Sequence, residues 1–494
     1  MIDAPVRTRS PFAAAPVTLV ATILFGALMA VSTRYGYHRD ELYFRLLGAQ
    51  PATGYFDTPP LTPMVAKLSI ALFGDNVVAL RVVPALAVAG TVVLLALVCR
   101  ELGGTHGAQV LAAVAVAVSS ITLIAGHLLL TLTLDLPLWA AAILFMCKAI
   151  GVDDTGDDRW WLAFGATVGV ATYNRQLIAL LVLGIAVGIL IAGPRSVLAS
   201  KWLWFGAMLA LVLALPNLLY QSTHDWPQAQ MAEALDLDDG DENRIMFGPL
   251  QFGLLGFGSV LAIAGLVSLW RRRTFRFFVL AYPVACGVTV YSGGRADYVA
   301  GFLLALCAAG SVPVAGWMTT VTRRTVVVLG LVATAVVSVP LGLPVLPVSA
   351  FDDLPIGELN ETAPESVGWE RFAEQIGDVA STIPTADRVH AVVLAENYGQ
   401  AGAVDRWSEQ FDLPPVYSGH NELWWRAMPD EHITAVIMAT DSPRAQRLFR
   451  TCERHATVDD GVGSWNEEQG KPILLCSGPV RTWAELWPEL RHYS

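Results

Sequence analysis

The stretch APVTLVATILFGALMAVSTRYGYHRDELYF (residues 15–44) decides the fold class, because an uncharged apolar run leads directly into a group of charges. A bilayer core is spanned by roughly 20 apolar residues in a helix. No small-residue cleavage site follows the run, so we interpret it as a membrane-spanning helix rather than a removable signal peptide. Arg39, Asp40 and Glu41 stand at its exit, where a charge usually is paired or has a function.

The composition of the whole chain agrees with a membrane protein. Of its 494 residues 54% are hydrophobic and only 15% are charged, whereas an ordinary soluble domain has about 25% charged residues. The formal net charge of -11 argues against a nucleic-acid partner, which requires a basic surface.

Apolar runs like the first recur up to residue 346 and predict a polytopic α-helical membrane protein with about eleven transmembrane helices. They cover residues 15–33, 77–98, 108–130, 136–150, 160–174, 177–193, 202–220, 249–270, 276–292, 298–318 and 325–346. Basic segments before the first run (Arg7, Arg9) and between later runs (193–202, 271–276, 322–324) are typical of the cytoplasmic side. This predicts a multi-pass protein with a cytoplasmic N-terminus, and an odd number of spans places the polar tail outside.

That tail predicts a separate extracytoplasmic α/β domain over residues 347–494, after a transmembrane catalytic domain over residues 1–346. Helical patterns (369–383 and 442–456) alternate with short apolar runs (388–397, 433–440 and 472–478), which favours a largely parallel sheet. Cys452 and Cys476 lie in this tail and could form a disulfide in an oxidising compartment. The acidic run DLDDGDE (236–242) is expected to be a solvated loop.

The connections assigned to the outer side share an unusual mixture of carboxylates, arginines and aromatic residues. The members are Arg39, Asp40, Glu41, Tyr55, Asp57, Asp135, Asn174, Arg175, Tyr220, His224, Arg295 and Tyr298. Arginine binds phosphate in a fixed bidentate geometry, and a carboxylate can accept a proton from an attacking hydroxyl. Since nucleotide sugars are absent outside the cytoplasm, an activated sugar must arrive there on a membrane carrier, and a polyprenyl-phosphate sugar fits this inventory.

Several motifs together resemble the GT-C superfamily of membrane glycosyltransferases, in the branch of protein O-mannosyltransferases and lipid A aminoarabinose transferases. They are RDELYF (39–44), YFDTPPL (55–61), TLDLPL (133–138), GVATYNRQ (169–176) and PNLLYQSTHDWP (216–227). The tail is similar to the outer domain of bacterial members through ENYGQAGAVDRW (396–407), PPVYSGHNELWW (414–425) and GKPILLCSGP (470–479). The resemblance implies an inverting transferase that moves a hexosyl or pentosyl group from a polyprenyl-phosphate donor to a glycan, lipid or protein acceptor.

The resemblance also implies roles for matching residues. Asp40 falls at the catalytic carboxylate of the family, with Glu41 beside it and Asp135 at a second acidic position. Arg175 and the Arg295–Tyr298 stretch fall at positions linked to the donor phosphate. The remaining candidate substrate-binding residues of the outer connections are Arg39, Tyr55, Asp57 and His224. Thr58 departs from the aminoarabinose transferases, which have a lysine there, so the sugar is not transferable from this likeness.

Each of these residues also has a purely structural interpretation. Asp40, Glu41, Asp57 and Asp135 are acceptable helix-capping or turn residues, and arginines or aromatic residues near headgroups can act as anchors. A transporter or lipid flippase, or a non-catalytic scaffold related to GT-C enzymes, remains the alternative function. The residue pattern requires no metal or cofactor and leaves a divalent metal open. An Ala-, Val-, Arg- and Gly-rich composition favours a GC-rich bacterial genome and therefore a bacterial plasma membrane.

Overall fold

The computed structural model describes residues 10–151, 156–351, 360, 362–463 and 466–493, so Arg7 and Arg9 lie outside the described residues. Helices up to residue 342 are α1 (Ala14–Ala30), α2 (Arg39–Ala49), α3 (Leu61–Phe73), α4 (Val77–Glu101), α5 (His106–Ala117), α6 (Ser120–His127), α7 (Thr131–Ile150), α8 (Trp160–Ala171), α9 (Ile178–Ala192), α10 (Lys201–Thr223), α11 (Pro227–Leu255), α12 (Gly258–Arg271), α13 (Arg276–Tyr291), α14 (Ala300–Trp317) and α15 (Val321–Gly342).

The chain forms two compact units, which we call the helical unit and the mixed unit. The helical unit takes in Arg81–Trp226, Leu235–Leu343 and the segment before Thr33. The mixed unit combines Thr33–Leu80, Pro227–Ala234 and Pro344–Ser494. The division at residue 346 that the sequence predicts stays a prediction about domains; the compact units group α2 and α3 with the C-terminal residues.

The predicted multi-pass helical fold is confirmed, because a helix or helix pair occupies each predicted apolar run. Six helical segments in the described part of the chain are long and apolar enough to cross a membrane, or up to eight if each of two bent pairs is one span. Shorter apolar helices (α1, α3, α8 and α9) accompany them. The number of eleven spans stays a prediction.

Two predicted spans are broken rather than continuous. α5 and α6 meet at an angle of 61°, and α11 and α12 meet at 101°. The first break lies at Ser119, whose backbone is extended with ψ 142°. At the second, Gly256 adopts φ +56° and the Phe257 N–H donates to Thr334 Oγ1 at 2.8 Å. A hydroxyl on another helix therefore fixes a bend that the hydrophobic pattern does not contain.

Glycines bring helices of the helical unit into close contact. A Cβ added to Gly165 of α8 would lie 2.0 Å from the Gly206 carbonyl oxygen of α10, and one on Gly310 of α14 would lie 1.7 Å from the Leu261 carbonyl oxygen of α12. Both positions exclude any side chain, since real Cβ contacts are never that short. Small residues at such crossings are how membrane helices pack in the absence of a hydrophobic driving force between them.

The interpretation of residues 236–242 as a loop is wrong, because they lie inside α11. Pro227 stands at the first helical position, where its missing N–H costs nothing. Arg244 forms ion pairs with Asp236 and, at 3.1 Å, with Asp241. These i, i+3 and i, i+8 positions lie near one face of a helix, so Arg244 relieves the repulsion among the acids.

The mixed unit contains a five-stranded sheet whose order is β2-β1-β3-β5-β4. Its strands are β1 (Ala391–Ala395), β2 (Val416–Ser418), β3 (Ala435–Ala439), β4 (Phe449–Thr457) and β5 (Pro472–Pro479). Its helices are α16 (Trp369–Ser381), α17 (Tyr398–Arg406), α18 (Leu423–Arg426), α19 (Pro443–Gln446) and α20 (Trp483–Leu490). The predicted α/β class is confirmed, and α16 lies where the helical pattern predicts it.

The sheet is mixed rather than largely parallel. β1 is parallel to β2 and β3, whereas β5 is antiparallel to both β3 and β4. The predicted helix over 442–456 is wrong beyond Gln446, since β4 occupies most of it. Cys452 and Cys476 are register partners on β4 and β5 and form a disulfide. Pairing with β5 therefore overrides the local helical pattern.

Candidate active site

The start of α2 is fixed by a reciprocal cap. The His38 backbone N–H donates to Glu41 Oε2 at 2.9 Å, and the Asp40 backbone N–H donates to His38 Nδ1 at 3.1 Å. This arrangement satisfies N–H groups that the first helical turn leaves without partners. Glu41 is fully buried and its carboxylate serves as a cap, so its part in catalysis stays a prediction that this geometry does not favour.

Asp40 points toward the C-terminal part of the mixed unit. The Tyr398 hydroxyl donates to Asp40 Oδ1 at 2.9 Å. Asp40 is partly exposed, and Oδ2 accepts no hydrogen bond from any side chain or backbone group in the described residues. Its place in the first turn of α2 is one where the helix dipole stabilises negative charge. One carboxylate oxygen is therefore held, and the other is available to a ligand.

A second aspartate–tyrosine pair lies beside the first. The Tyr43 hydroxyl donates to Asp57 Oδ1 at 2.8 Å, and the rings of Tyr43 and Tyr398 stack with centroids 4.6 Å apart. Burial raises the pKa of Asp57 to about 7 despite the hydrogen bond from Tyr43. We refer to Asp40, Tyr43, Asp57 and Tyr398 as the aspartate–tyrosine cluster.

Arg39 and His38 are engaged in ion pairs next to this cluster. Arg39 Nη1 lies 2.9 Å from Glu365 Oε1 and 3.0 Å from Glu467 Oε2, and His38 Nε2 lies 3.0 Å from Glu365 Oε2. Burial alone would raise the pKa of Glu365, but the hydrogen bond from His38 and the charge of Arg39 bring it down to about 2. The same contact raises the pKa of His38 against the effect of burial. Arg39 therefore already has two anionic partners.

Tyr55 belongs to the internal framework of the segment between α2 and α3. Its side chain is buried, its hydroxyl lies 3.3 Å from the Leu47 carbonyl oxygen, and the Ala52 N–H donates to it at 3.1 Å. Thr58, at the position of the family lysine, is also buried. The hydroxyl of Tyr55 is therefore engaged in local hydrogen bonds of this segment.

The helical unit contains an arginine cluster formed by Asp135, Asn174, Arg175, Arg295, Asp297 and Tyr298. Arg175 Nη1 lies 3.5 Å from Asp135 Oδ2 and 3.7 Å from Asp297 Oδ2, and its guanidinium stands over the Tyr298 ring at 4.8 Å. The Asn174 amide donates to Asp135 Oδ1 at 3.0 Å. Asp135 of α7, Arg175 between α8 and α9, and Tyr298 before α14 thus lie close together, although Asp135 stands inside a helix and not in the predicted outer turn.

The two arginines of this cluster differ in exposure. The Arg175 side chain is 17% exposed, and its two carboxylates are 7% and 11% exposed. Arg295 donates from Nε to Asp297 Oδ1 at 3.0 Å, yet its side chain is 65% exposed. A ligand can therefore reach the Arg295 guanidinium far more readily than that of Arg175. Sequence reasoning missed Asp297, although it lies between Arg295 and Tyr298 in the stretch SGGRADY (292–298).

His224 does not join either cluster in the described residues. It follows α10, stacks on Tyr220 with ring centroids 4.1 Å apart and lies 3.1 Å from Thr223 Oγ1. Within the described ranges no group of three or more His, Cys, Asp or Glu side chains is arranged to hold a metal ion.

Comparison with known proteins places this fold. Residues 57–220 match the family model described as dolichyl-phosphate-mannose-protein mannosyltransferase. ArnT from Cupriavidus metallidurans, solved with undecaprenyl phosphate, superposes with a TM-score of 0.59 at 16% identity over 94% of this chain and 98% of that one.

A second similar structure is the arabinofuranosyltransferase AftD from Mycobacteria, with a TM-score of 0.50 at 14% identity over 94% of this chain and 41% of that one. No curated protein sequence matches the chain. In fold, the chain is therefore similar to ArnT and AftD, and its residues 57–220 are similar to the mannosyltransferase family.

Proposed function

We propose that the chain transfers a sugar from a polyprenyl-phosphate donor to a hydroxyl acceptor at the outer face of a bacterial plasma membrane. Support comes from the GT-C fold, from the matched family's dolichyl-phosphate sugar donor and from the undecaprenyl phosphate bound to ArnT. Glycan, lipid and protein hydroxyls are the acceptor classes. The Cys452–Cys476 disulfide is typical of an oxidising compartment and supports an extracytoplasmic C-terminal region.

Asp40 is the proposed base. The acceptor oxygen attacks the anomeric carbon while its proton passes to Asp40 Oδ2. The bond from that carbon to the phosphate oxygen breaks, polyprenyl phosphate leaves with the electron pair, and the configuration inverts. Asp40 then loses the proton to solvent. The observation that carries this proposal is that Tyr398 occupies only Oδ1 and leaves Oδ2 of a partly exposed carboxylate open.

Arg295 is the proposed main ligand of the donor phosphate in the arginine cluster. Arg175 faces two carboxylates, whereas most of the Arg295 side chain is exposed. An arginine–phosphate hydrogen bond is charge-assisted and stabilises the phosphate that leaves with additional negative charge. Arg175 has the supporting role of keeping Asp135 and Asp297 in place.

The test is transfer of radiolabel by purified protein in lipid nanodiscs. Polyprenyl-phosphate mannose, arabinose, glucose, galactose and ribose are offered with membrane extract as acceptor. Wild type is compared with Asp40→Asn and with the control Asp412→Asn, whose side chain is 89% exposed in a surface pair with Arg388. Transfer by wild type and the control, but not by Asp40→Asn, supports the proposal. Donor binding without transfer by all three proteins favours the scaffold alternative, and movement of intact donor across the membrane favours a flippase.

A further inference from the structure

Tyr398 is the first residue of α17, and the buried carboxylate of Glu468 holds the cap of this helix in place. Asn397 caps α17 by accepting from the Gln400 N–H at 3.0 Å. The Asn397 amide donates to Glu468 Oε1 at 2.7 Å, and Lys471 Nζ lies 3.4 Å from Glu468 Oε2. Glu468 is buried, and its hydrogen bond to Asn397 and its ion pair with Lys471 hold its carboxylate in place. The first turn of α17 therefore has little freedom to move.

Two glycines let this helix lie directly against α2. A Cβ added to Gly399 would come within 3.1 Å of Arg39 Cβ, and one added to Gly402 would come within 2.8 Å of Leu42 Cβ. The second distance is shorter than real Cβ contacts. Larger residues at these positions would separate the helices and lengthen the bond between Tyr398 and Asp40.

The Tyr398 ring is enclosed by other planar groups. It stacks on Tyr43 at 4.6 Å and on His420 at 5.0 Å, while the Arg39 guanidinium stands 4.7 Å from its centroid. Stacked and cation–π contacts fix the plane of a ring. Since the helix and the ring are both held, the hydroxyl position is held as well.

We propose that Tyr398 is a positioning residue that orients the Asp40 carboxylate toward the acceptor hydroxyl, through the 2.9 Å bond between its hydroxyl and Oδ1. This inference rests on the proposed function. It means that the C-terminal part of the mixed unit contributes directly to the geometry of the base.

The charge environment of Asp40 determines what loss of this bond does. On its own element His38, Arg39 and Glu41 surround Asp40, and from other elements Tyr398 and Glu365 face the same region. Tyr398→Phe keeps the ring and all of these charged groups, and removes only the donor. The carboxylate then keeps its charged neighbours but loses the bond that fixes its orientation.

The test compares the kcat and the donor KM of Tyr398→Phe, Asp40→Asn and Tyr417→Phe with those of wild type. Tyr417 lies on β2 in the same unit and packs against its apolar core, so Tyr417→Phe is the same chemical change away from Asp40. We expect Tyr398→Phe to lower kcat by about tenfold or more, the typical value of a hydrogen bond to a charged group. The donor KM is expected to stay unchanged, because Tyr398 acts on the base and not on the donor.

Three outcomes decide between the ideas. An inactive Asp40→Asn together with the expected changes in Tyr398→Phe supports the inference. An inactive Asp40→Asn together with a Tyr398→Phe whose kcat and donor KM equal those of Tyr417→Phe overturns it and leaves the proposed function standing. If Asp40→Asn transfers sugar at the wild-type rate, Asp40 is not the base, and both the proposed mechanism and this inference are overturned.

Discussion

The arrangement of charges around Arg175 predicts that this arginine is needed for folding more than for donor binding. In Arg175→Met the side-chain volume is largely kept, but Asp135 and Asp297 lose the cation that lies 3.5 and 3.7 Å from them. Together with Arg295 the four charged groups sum to zero in the wild type, and they sum to one net negative charge in the variant.

The expected loss is large because neither carboxylate can turn into open solvent. At an effective dielectric constant of about 20, a pair at 3.5 Å is worth roughly 5 kcal/mol before desolvation is subtracted. Removing one partner of a buried ion pair costs about 3–5 kcal/mol in measured cases. We therefore expect Arg175→Met to lower the free energy of unfolding by about 3–5 kcal/mol. Adding Asp135→Asn restores neutrality and should recover about half of that loss.

The assay is thermal unfolding of the purified protein, followed by tryptophan fluorescence, next to donor binding at a temperature where all variants are folded. Arg481→Met is the control, since Arg481 pairs with Glu489 at the surface with both side chains about 40% exposed and should lose less than about 1 kcal/mol. The reasoning is refuted if Arg175→Met unfolds at the wild-type temperature and has lost donor binding, because Arg175 would then be a phosphate ligand.

Three further changes follow from the same contacts. Arg295→Met should weaken polyprenyl-phosphate binding by about tenfold through loss of a charge-assisted bond, without a change in unfolding temperature. A variant that binds the lipid as tightly as wild type, at both low and moderate salt, would contradict this. Because burial raises the pKa of Asp57 from 3.8 to about 7, its ionisation opposes folding, so stability should fall as pH rises from about 4 to 7. Asp57→Asn keeps a hydrogen-bond acceptor for the Tyr43 hydroxyl and should reduce the dependence of the unfolding free energy on pH over this range. The same pH dependence in variant and wild type would contradict this. Replacing Cys452 and Cys476 by alanine opens a loop of sequence separation 24 and should cost about 3 kcal/mol, measured against the oxidised and reduced wild type.

The apolar helices could be predicted from the sequence because each is a long run with few charges. The breaks within two of them could not, since they depend on contacts across the chain. The bend after α11 needs the Thr334 hydroxyl, which is 77 residues away from the Phe257 N–H that it binds. In the same way, the sequence pattern of β4 predicts a helix, because it does not contain the pairing with β5 that makes this segment a strand.

Several members of the two clusters stand out in the sequence, but Asp297 and Tyr398 do not, and the roles of all of them are harder to predict. Asp135 and Arg175 stand out because charges embedded in apolar sequence need partners, and the structure makes them partners of each other. Arg39 stands out for the same reason, but its partners Glu365 and Glu467 lie more than 300 residues away. The sequence alone does not distinguish an arginine that is accessible to a phosphate ligand from one that already forms ion pairs with two carboxylates. Only the exposed fraction of the guanidinium separates these cases.

The acidic pair Asp40–Glu41 shows how neighbouring residues acquire different roles. Successive side chains on a helix are rotated by about 100°, so two adjacent acids cannot face the same partner. Glu41 is the third residue of α2, and its carboxylate reaches back to the His38 N–H. Once Glu41 has closed the cap, the preceding position must point away from the cap, and there Asp40 meets the Tyr398 hydroxyl. The buried acid thus sets the direction of the proposed base, so Glu41 supports the site through the cap that it forms.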